Sequence, residues 1–129
     1  MKNLKPTEGE LEILSILWNY GPSTVKFVND KIQLRKKTVY TTTLKLMQIM
    51  FEKKLVLRKL KGRSHIYRAK HNPEDTRETV LENILEKAFD GSVSKLVLSA
   101  VRMHKLTPDE LHEIRGYLSE FENANNSEH

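Results

Sequence analysis

The chain has 129 residues, of which 38% are hydrophobic and 30% charged, and its formal net charge is +5 at pH 7. This length suits one domain, or one domain with an oligomerisation appendage. The absence of cysteine excludes a disulfide framework, a thiolate metal site and thiol redox chemistry. No apolar run approaches the roughly 20 residues that span a bilayer, and the N-terminus lacks a signal-peptide core. We therefore expect a cytoplasmic protein without membrane insertion.

Charge is distributed unevenly along the chain. Residues 1–72 hold 16 of the 22 Lys and Arg residues but only 5 of the 17 Asp and Glu residues. This basic half indicates a surface for phosphate groups. Residues 73–129 have an acidic surplus and amphipathic patterning, typical of helices that pack on one another or on a partner. The sequence predicts two domains, 1–72 and 73–122, followed by a disordered tail, 123–129, which has nothing to bury.

Three short helices are predicted in the basic half. The capping box Thr7–Glu10 opens the first helix, which stops at Gly21-Pro22. Ser23 or Thr24 caps the second helix. The third helix is predicted from about Thr41 to Lys53, because apolar side chains recur there at helical spacing.

Two β-rich runs follow the third helix. They cover residues 55–60 and 65–69 and flank a basic tip that contains Gly62, which predicts a hairpin. The order of three helices and a hairpin is that of a winged helix-turn-helix. In that fold the third helix enters the DNA major groove, and the hairpin tip lies along the backbone or minor groove. The predicted fold is therefore mainly α with a small β-hairpin.

The helical period defines which residues of the third helix face DNA. With Leu46, Met47 and Met50 turned inward, the opposite face presents hydroxyl, amide and ammonium groups that can reach base edges. Lys36 and Lys53 are predicted phosphate contacts, together with the basic hairpin tip. Tyr40 either contacts DNA or packs against its own domain. The predicted DNA-binding residues are Lys37, Tyr40, Thr41, Thr42, Lys45, Gln48, Lys61 and Arg63.

The acidic half begins where the charge changes sign, at Asn72-Pro73, and contains two or three amphipathic helices. A second capping box, Thr107–Glu110, opens the last one. Apolar faces this wide cannot all lie against a small winged helix, so we predict a two-fold dimer in which they interleave. A compact six-helix monomer is the alternative. The predicted dimerisation residues are Leu81, Leu85, Leu96, Val97, Val101, Leu111, Ile114 and Leu118.

The sequence shows no catalytic or metal-binding pattern. His104 and His112 have no ligand cluster of metal-binding spacing around them, and neither do His65 and His71. No nucleophile elbow, Gly-rich phosphate loop or paired-carboxylate site is present. We therefore expect no cofactor, no metal site and no enzymatic activity.

Five segments resemble the penicillinase-repressor family of winged-helix transcriptional repressors (BlaI and MecI). They are Leu11–Trp18, Thr38–Leu44, Phe51–Val56, Ser94–Leu98 and Asp109–Ile114. The resemblance implies a homodimeric bacterial repressor that binds operator DNA and controls resistance or stress genes. The dimer predicted above would read a palindrome whose half-sites lie roughly 34 Å apart, or a multiple of that distance.

The resemblance also implies a mode of release. In some members, a membrane-bound sensor protease triggers cleavage of an Asn–Phe bond within the dimerisation helices. The equivalent bond here joins Ser99 and Ala100, a departure from the family pattern. Many relatives have Arg at the position of Ile49 and Gly at that of Lys54, which implies a different operator sequence. Copper-responsive relatives carry a cysteine cluster, so the absence of cysteine excludes thiolate copper sensing.

Two other functions fit parts of the sequence. One is a protein-interaction adaptor built on a winged helix, whose acidic helices dock a partner. The other is a non-specific, nucleoid-type DNA-binding protein, which a small specificity ratio would reveal. The surplus of Lys and Arg around the third helix and the hairpin favours the sequence-specific repressor over the adaptor.

Overall fold

The computed structural model describes residues 5–127. Within that range the chain forms six helices and one two-stranded antiparallel sheet. This confirms the predicted fold, a winged helix-turn-helix followed by C-terminal helices. The elements are α1 (Glu8–Tyr20), α2 (Val25–Gln33), α3 (Tyr40–Glu52), β1 (Val56–Lys61), β2 (Ser64–Ala69), α4 (Pro73–Ala88), α5 (Val93–Met103) and α6 (Pro108–Ser127).

Side-chain caps begin the helices where the sequence predicts them. At α1 the Thr7 hydroxyl accepts a hydrogen bond from the Glu10 N–H (3.2 Å), and the Glu10 carboxylate accepts one from the Thr7 N–H (2.9 Å). The reciprocal pair at Thr107 and Glu110 opens α6 in the same way. Thr24, rather than Ser23, caps α2 by accepting from the Phe27 N–H. These bonds satisfy backbone donors that have no partner within the helix.

The end of α3 is a Schellman motif built without glycine. The Leu55 N–H donates to the Met50 carbonyl (2.9 Å), and the Lys54 N–H donates to the Phe51 carbonyl (3.1 Å). Lys54 has a φ of 66°, in the left-handed region where a side chain with a Cβ costs about 1–2 kcal/mol. The motif redirects the chain from α3 into β1 and brings Leu55 into the core.

A two-residue turn closes the hairpin, and backbone hydrogen bonds join it to the rest of the N-terminal unit. Its register pairs Val56 with Ala69 and Lys61 with Ser64, leaving a two-residue turn. Gly62 takes the left-handed first position of that turn, with a φ of 64°. Ser23 and Tyr67 exchange backbone hydrogen bonds of 2.9 and 2.8 Å, which tie β2 to the loop between α1 and α2.

One hydrophobic core lies among α1, α2, α3 and the hairpin. Trp18 lies at its margin, partly buried, and its indole N–H donates to the His71 carbonyl at 3.3 Å. No helix in the described range is long and apolar enough to cross a membrane. The buried apolar residues are Ile13, Leu14, Ile16, Leu17, Val25, Val28, Ile32, Met47, Met50, Leu55, Val56 and Tyr67.

The chain divides into two compact units between Ile84 and Leu85, within α4. The sequence predicts the division at 72/73, where the charge changes sign, but the first turns of α4 belong to the N-terminal unit. Thr76, for example, is 3% exposed. Where the sequence predicts a disordered tail from 123, the structure continues α6 through residues 123–127, because each added helical residue gains a backbone hydrogen bond without needing a buried side chain. Residues 128–129 lie outside the described range.

Candidate nucleic-acid interface

The outward face of α3 carries the polar side chains that the helical period predicts. Thr41, Thr42, Lys45 and Gln48 are all exposed, whereas Met47 and Met50 are buried. Leu46, predicted to point inward, is partly buried. The inner face also contains Thr43, which is 2% exposed and which the sequence analysis missed. A hydroxyl does not mark a core position in a hydrophobic pattern, so no local signal identified it.

A cleft of about 370 Å³ joins α3 to the hairpin tip and to the start of α2. Tyr40 and Arg63, both predicted DNA-binding residues, line it from α3 and from the hairpin turn. The sequence analysis did not assign three of the other polar lining residues to the site, because they meet Tyr40 and Arg63 only in the folded chain. They are Thr24, Lys26 and His65.

The chemistry of this cleft suits a phosphate group. Lys26 and Arg63 supply positive charge, and the first turn of α2 contributes the positive end of its helix dipole. Lys26 also pairs with Asp30 at 3.0 Å, but both side chains are largely exposed, and such pairs bind weakly in water. Tyr40 is 48% exposed, which leaves its ring accessible beside the cleft.

Two of the predicted phosphate contacts have partners inside the protein. The Lys53 ammonium lies 2.9 and 2.8 Å from the two Glu10 carboxylate oxygens, and Glu10 is 1% exposed. Lys53, although 44% exposed, is therefore already paired as the counter-charge of a buried carboxylate. Lys36 lies 3.1 Å from Glu12, which also pairs with Arg35.

Four other predicted DNA-binding cations are exposed and can contact phosphate groups. Lys37, Lys45, Lys61 and Arg63 are exposed, and within residues 5–127 the structure gives none of them a salt bridge. Lys61 and Arg63 flank Gly62 at the hairpin turn, and Lys45 lies on the outward face of α3. All eight predicted DNA-binding residues are thus on the surface, and they belong to α3, to the segment before it and to the hairpin tip.

The described residues offer no alternative metal chemistry. No group of three or more His, Cys, Asp or Glu side chains in the range 5–127 is arranged to hold a metal ion. The outward face of α3 and the hairpin tip carry cationic and hydroxyl groups, which suit a polyanion.

Comparison with known proteins identifies the family of the chain. The sequence model of the penicillinase repressor family matches residues 6–120. The chain belongs to the penicillinase repressor family. This confirms the resemblance seen in the sequence and the winged-helix, DNA-binding class of transcription regulator that it implies. Members of the family are transcriptional regulators, and nothing in the described structure points to catalysis.

Three relatives align along most of the chain at low identity. The methicillin resistance regulatory protein MecI of Staphylococcus aureus (strain N315) is 24% identical over 118 residues, which cover 92% of this chain and 96% of MecI. The transcriptional regulator BlaI of Mycobacterium tuberculosis (strain H37Rv) is 27% identical over 117 residues, 88% of this chain and 84% of BlaI. The penicillinase repressor of Bacillus licheniformis is 22% identical over 121 residues, 91% of each chain.

The C-terminal helices of this penicillinase-repressor chain carry exposed apolar side chains. In α5, and in residues 108–126 of α6, no side chain is buried. Leu85 and Leu96 are partly buried. The other six predicted dimerisation residues are between 39% and 57% exposed: Leu81, Val97, Val101, Leu111, Ile114 and Leu118. Ser99 and Ala100, which the sequence analysis predicts as the equivalent of a cleaved bond, lie within α5.

Proposed function

We propose that this chain is a sequence-specific transcriptional repressor that binds a palindromic operator as a homodimer in the cytoplasm and controls resistance or stress genes. The observation that carries the proposal is the outward face of α3, where Thr41, Thr42, Lys45 and Gln48 are exposed beside a cationic hairpin tip. Family membership supports repression as the outcome of binding.

Within this interface, base reading and phosphate binding use different residues. Thr42 and Gln48 carry groups that hydrogen-bond base edges, and Lys45 reaches the acceptor atoms of guanine. Lys37, Lys61 and Arg63 supply charge to the sugar–phosphate backbone, which fixes position without reading sequence. The cleft between Tyr40 and Arg63 accepts a backbone phosphate next to the groove that α3 enters.

The apolar surface of the C-terminal helices supports the homodimer. An isolated chain would expose Val97 and Val101, one helical turn apart on α5, to water, and exposed apolar side chains grouped in this way mark an association surface. A second copy offers the same face, so a two-fold contact buries both at once. The compact-monomer alternative would bury these side chains within one chain, so their exposure supports the dimer.

Release from the operator would act through the same C-terminal helices. A membrane-bound sensor protease that triggered cleavage at Ser99–Ala100 would cut α5 and separate α6 from the rest of the dimer contact. That bond lies inside a helix, so it must unfold locally before a protease can bind it in extended form. This antirepressor step rests on the family resemblance.

The test compares a DNA duplex from upstream of the chain's own gene with a scrambled duplex of equal length. Gel shifts across a series of salt concentrations should show preferential binding to the first duplex, weakening steeply with salt as counterions are released. Sedimentation equilibrium should give a dimer, and footprinting should show two protected half-sites. Equal affinity for both duplexes would contradict the repressor and indicate a non-specific DNA-binding protein. Absence of DNA binding would favour the adaptor.

A further inference from the structure

A buried polar contact joins α3 to α2. The Thr43 hydroxyl donates a 2.6 Å hydrogen bond to the side-chain oxygen of Asn29. Thr43 is 2% exposed and Asn29 is 5% exposed. A hydrogen bond in such dry surroundings is directional, and breaking one side leaves the other group buried without a partner. The contact therefore constrains the orientation of α3 as well as its position.

The other inner contacts of α3 constrain its orientation less. Met47 and Met50 complete the buried stripe of the helix, and the unbranched thioether side chain of methionine adapts to several packing arrangements. Val39 occupies the N-cap position, and no side chain caps the helix there. Among the described side chains, the hydrogen bond from Thr43 is therefore the directional contact that holds the N-terminal half of α3.

The helical period links that contact to the outward face. Each residue turns by about 100°, so Thr41 and Lys45, two positions before and after Thr43, lie about 160° away from it. When Thr43 points at Asn29, these two side chains point away from the core. A rotation of α3 would displace them, and hydrogen bonds to base edges tolerate only a few tenths of an ångström and a narrow range of angles. Phosphate attraction is less sensitive to such a shift.

We infer that Thr43 and Asn29 are positioning residues for operator discrimination: they fix the rotation of α3 and do not touch DNA. The inference rests on the proposed function, because it concerns the helix that would read bases. An apolar pair would fill the same space at little cost in stability, but it would leave the rotation of α3 to the methionine contacts. Buried polar pairs are known to select one arrangement among several in this way.

The experiment uses the full-length chain and separates stability from discrimination. A duplex motif is first selected from a random-sequence DNA pool with the wild-type chain. Affinities for this motif duplex and for its scrambled version are then measured at one salt concentration, and melting temperatures are measured in parallel. The variants are Thr43→Val, the double variant Asn29→Leu with Thr43→Val, Thr43→Ser, Thr43→Ala and Met47→Leu.

Thr43→Val should lower the melting temperature, because it leaves the Asn29 amide buried without its partner. The double variant should recover most of that loss, yet its preference for the motif should fall about tenfold, roughly the effect of one lost base contact. Its affinity for scrambled DNA should stay unchanged. Thr43→Ser keeps the hydroxyl and should keep the preference. Met47→Leu, a core change without loss of a hydrogen bond, should keep it as well.

A stable double variant with wild-type preference would overturn the inference, and so would an equal loss in Met47→Leu. If the double variant does not fold, Thr43→Ser and Thr43→Ala decide: a preference retained with serine and reduced with alanine supports positioning, and equal preferences refute it. A wild-type chain that selects no motif from the pool would refute the proposed function itself. That failure is distinct from the loss of preference in a variant.

Discussion

The N-terminal unit and the C-terminal helices differ in where their apolar side chains lie. In the first, residues such as Ile13, Val28 and Met47 are fully buried within one chain. In the second, α5 holds no buried side chain, although Val97 and Val101 lie on one face. The N-terminal unit therefore derives its stability from intrachain packing. We expect the C-terminal helices to need a second surface, and four predictions, each with its own variants, test this contrast.

The largest effect is expected from a charge placed on the apolar face of α5. Val97→Glu should convert a dimer to a monomer, because the new carboxylate would be buried against a like copy. Operator affinity should fall by about 10²- to 10⁴-fold with loss of bivalent binding. Lys95→Glu, which places the same side chain on the opposite face of α5, is the control. A dimer that persists in sedimentation equilibrium with Val97→Glu would place the interface elsewhere.

The outward face of α3 should respond in a different manner. Lys45→Ala and Thr42→Ala should each cost about 1–3 kcal/mol at the operator and less on scrambled DNA, since they remove base contacts. Lys61→Ala should weaken binding to all duplexes alike and lower the salt dependence by about one counterion. Fluorescence anisotropy titrations at several salt concentrations measure both quantities. Uniform losses for all three variants would contradict base reading by α3.

Within the N-terminal unit, Lys53→Met should reduce stability by about 1–3 kcal/mol, because it leaves the Glu10 carboxylate buried without its counter-charge. Lys45→Met removes an exposed lysine from the same helix and should change the unfolding free energy little. Chemical denaturation measures both. Operator affinity should follow the reverse order, with the larger loss in Lys45→Met. If Lys53→Met lost more operator affinity than Lys45→Met and left stability unchanged, Lys53 would be a DNA contact.

The smallest expected effect is an increase in stability. Lys54→Gly should stabilise the chain by about 1 kcal/mol, because glycine takes the left-handed φ of 66° without strain. Lys54→Ala removes the same charge but keeps the Cβ, so it should give no such gain. Thermal unfolding of the two variants separates backbone relief from charge. Equal melting temperatures would show that the conformation at Lys54 carries no measurable cost.

The sequence predicts the local elements well and the long-range contacts poorly. The third helix is predicted from Thr41 to Lys53 and lies at Tyr40–Glu52, since its periodic apolar stripe is a local signal. The pairing of Lys53 with Glu10 joins residues 43 positions apart. A charge pattern along the chain cannot distinguish a lysine that pairs with a buried carboxylate from an unpaired surface cation.

Polar residues in the core escaped prediction for a related reason. Thr43 and Asn29 are each more often found at a surface, and only their mutual hydrogen bond makes burial favourable. The cleft at Tyr40 and Arg63 likewise needs α2, α3 and the hairpin to be placed before Lys26 can join it. The outward face of α3 and the basic hairpin tip are thus predictable from local patterns, whereas the cleft between them depends on tertiary structure.

The backbone bridge between Ser23 and Tyr67 has a consequence for the energetics of recognition. Because both backbone groups of Tyr67 bond to the loop that precedes α2, the position of β2 against that loop is established before any encounter with DNA. A binding surface that is already ordered in the free protein loses little conformational entropy when it binds DNA. We therefore expect the chain to tolerate only a narrow range of groove widths, which would make DNA shape a further determinant of the sites that it binds.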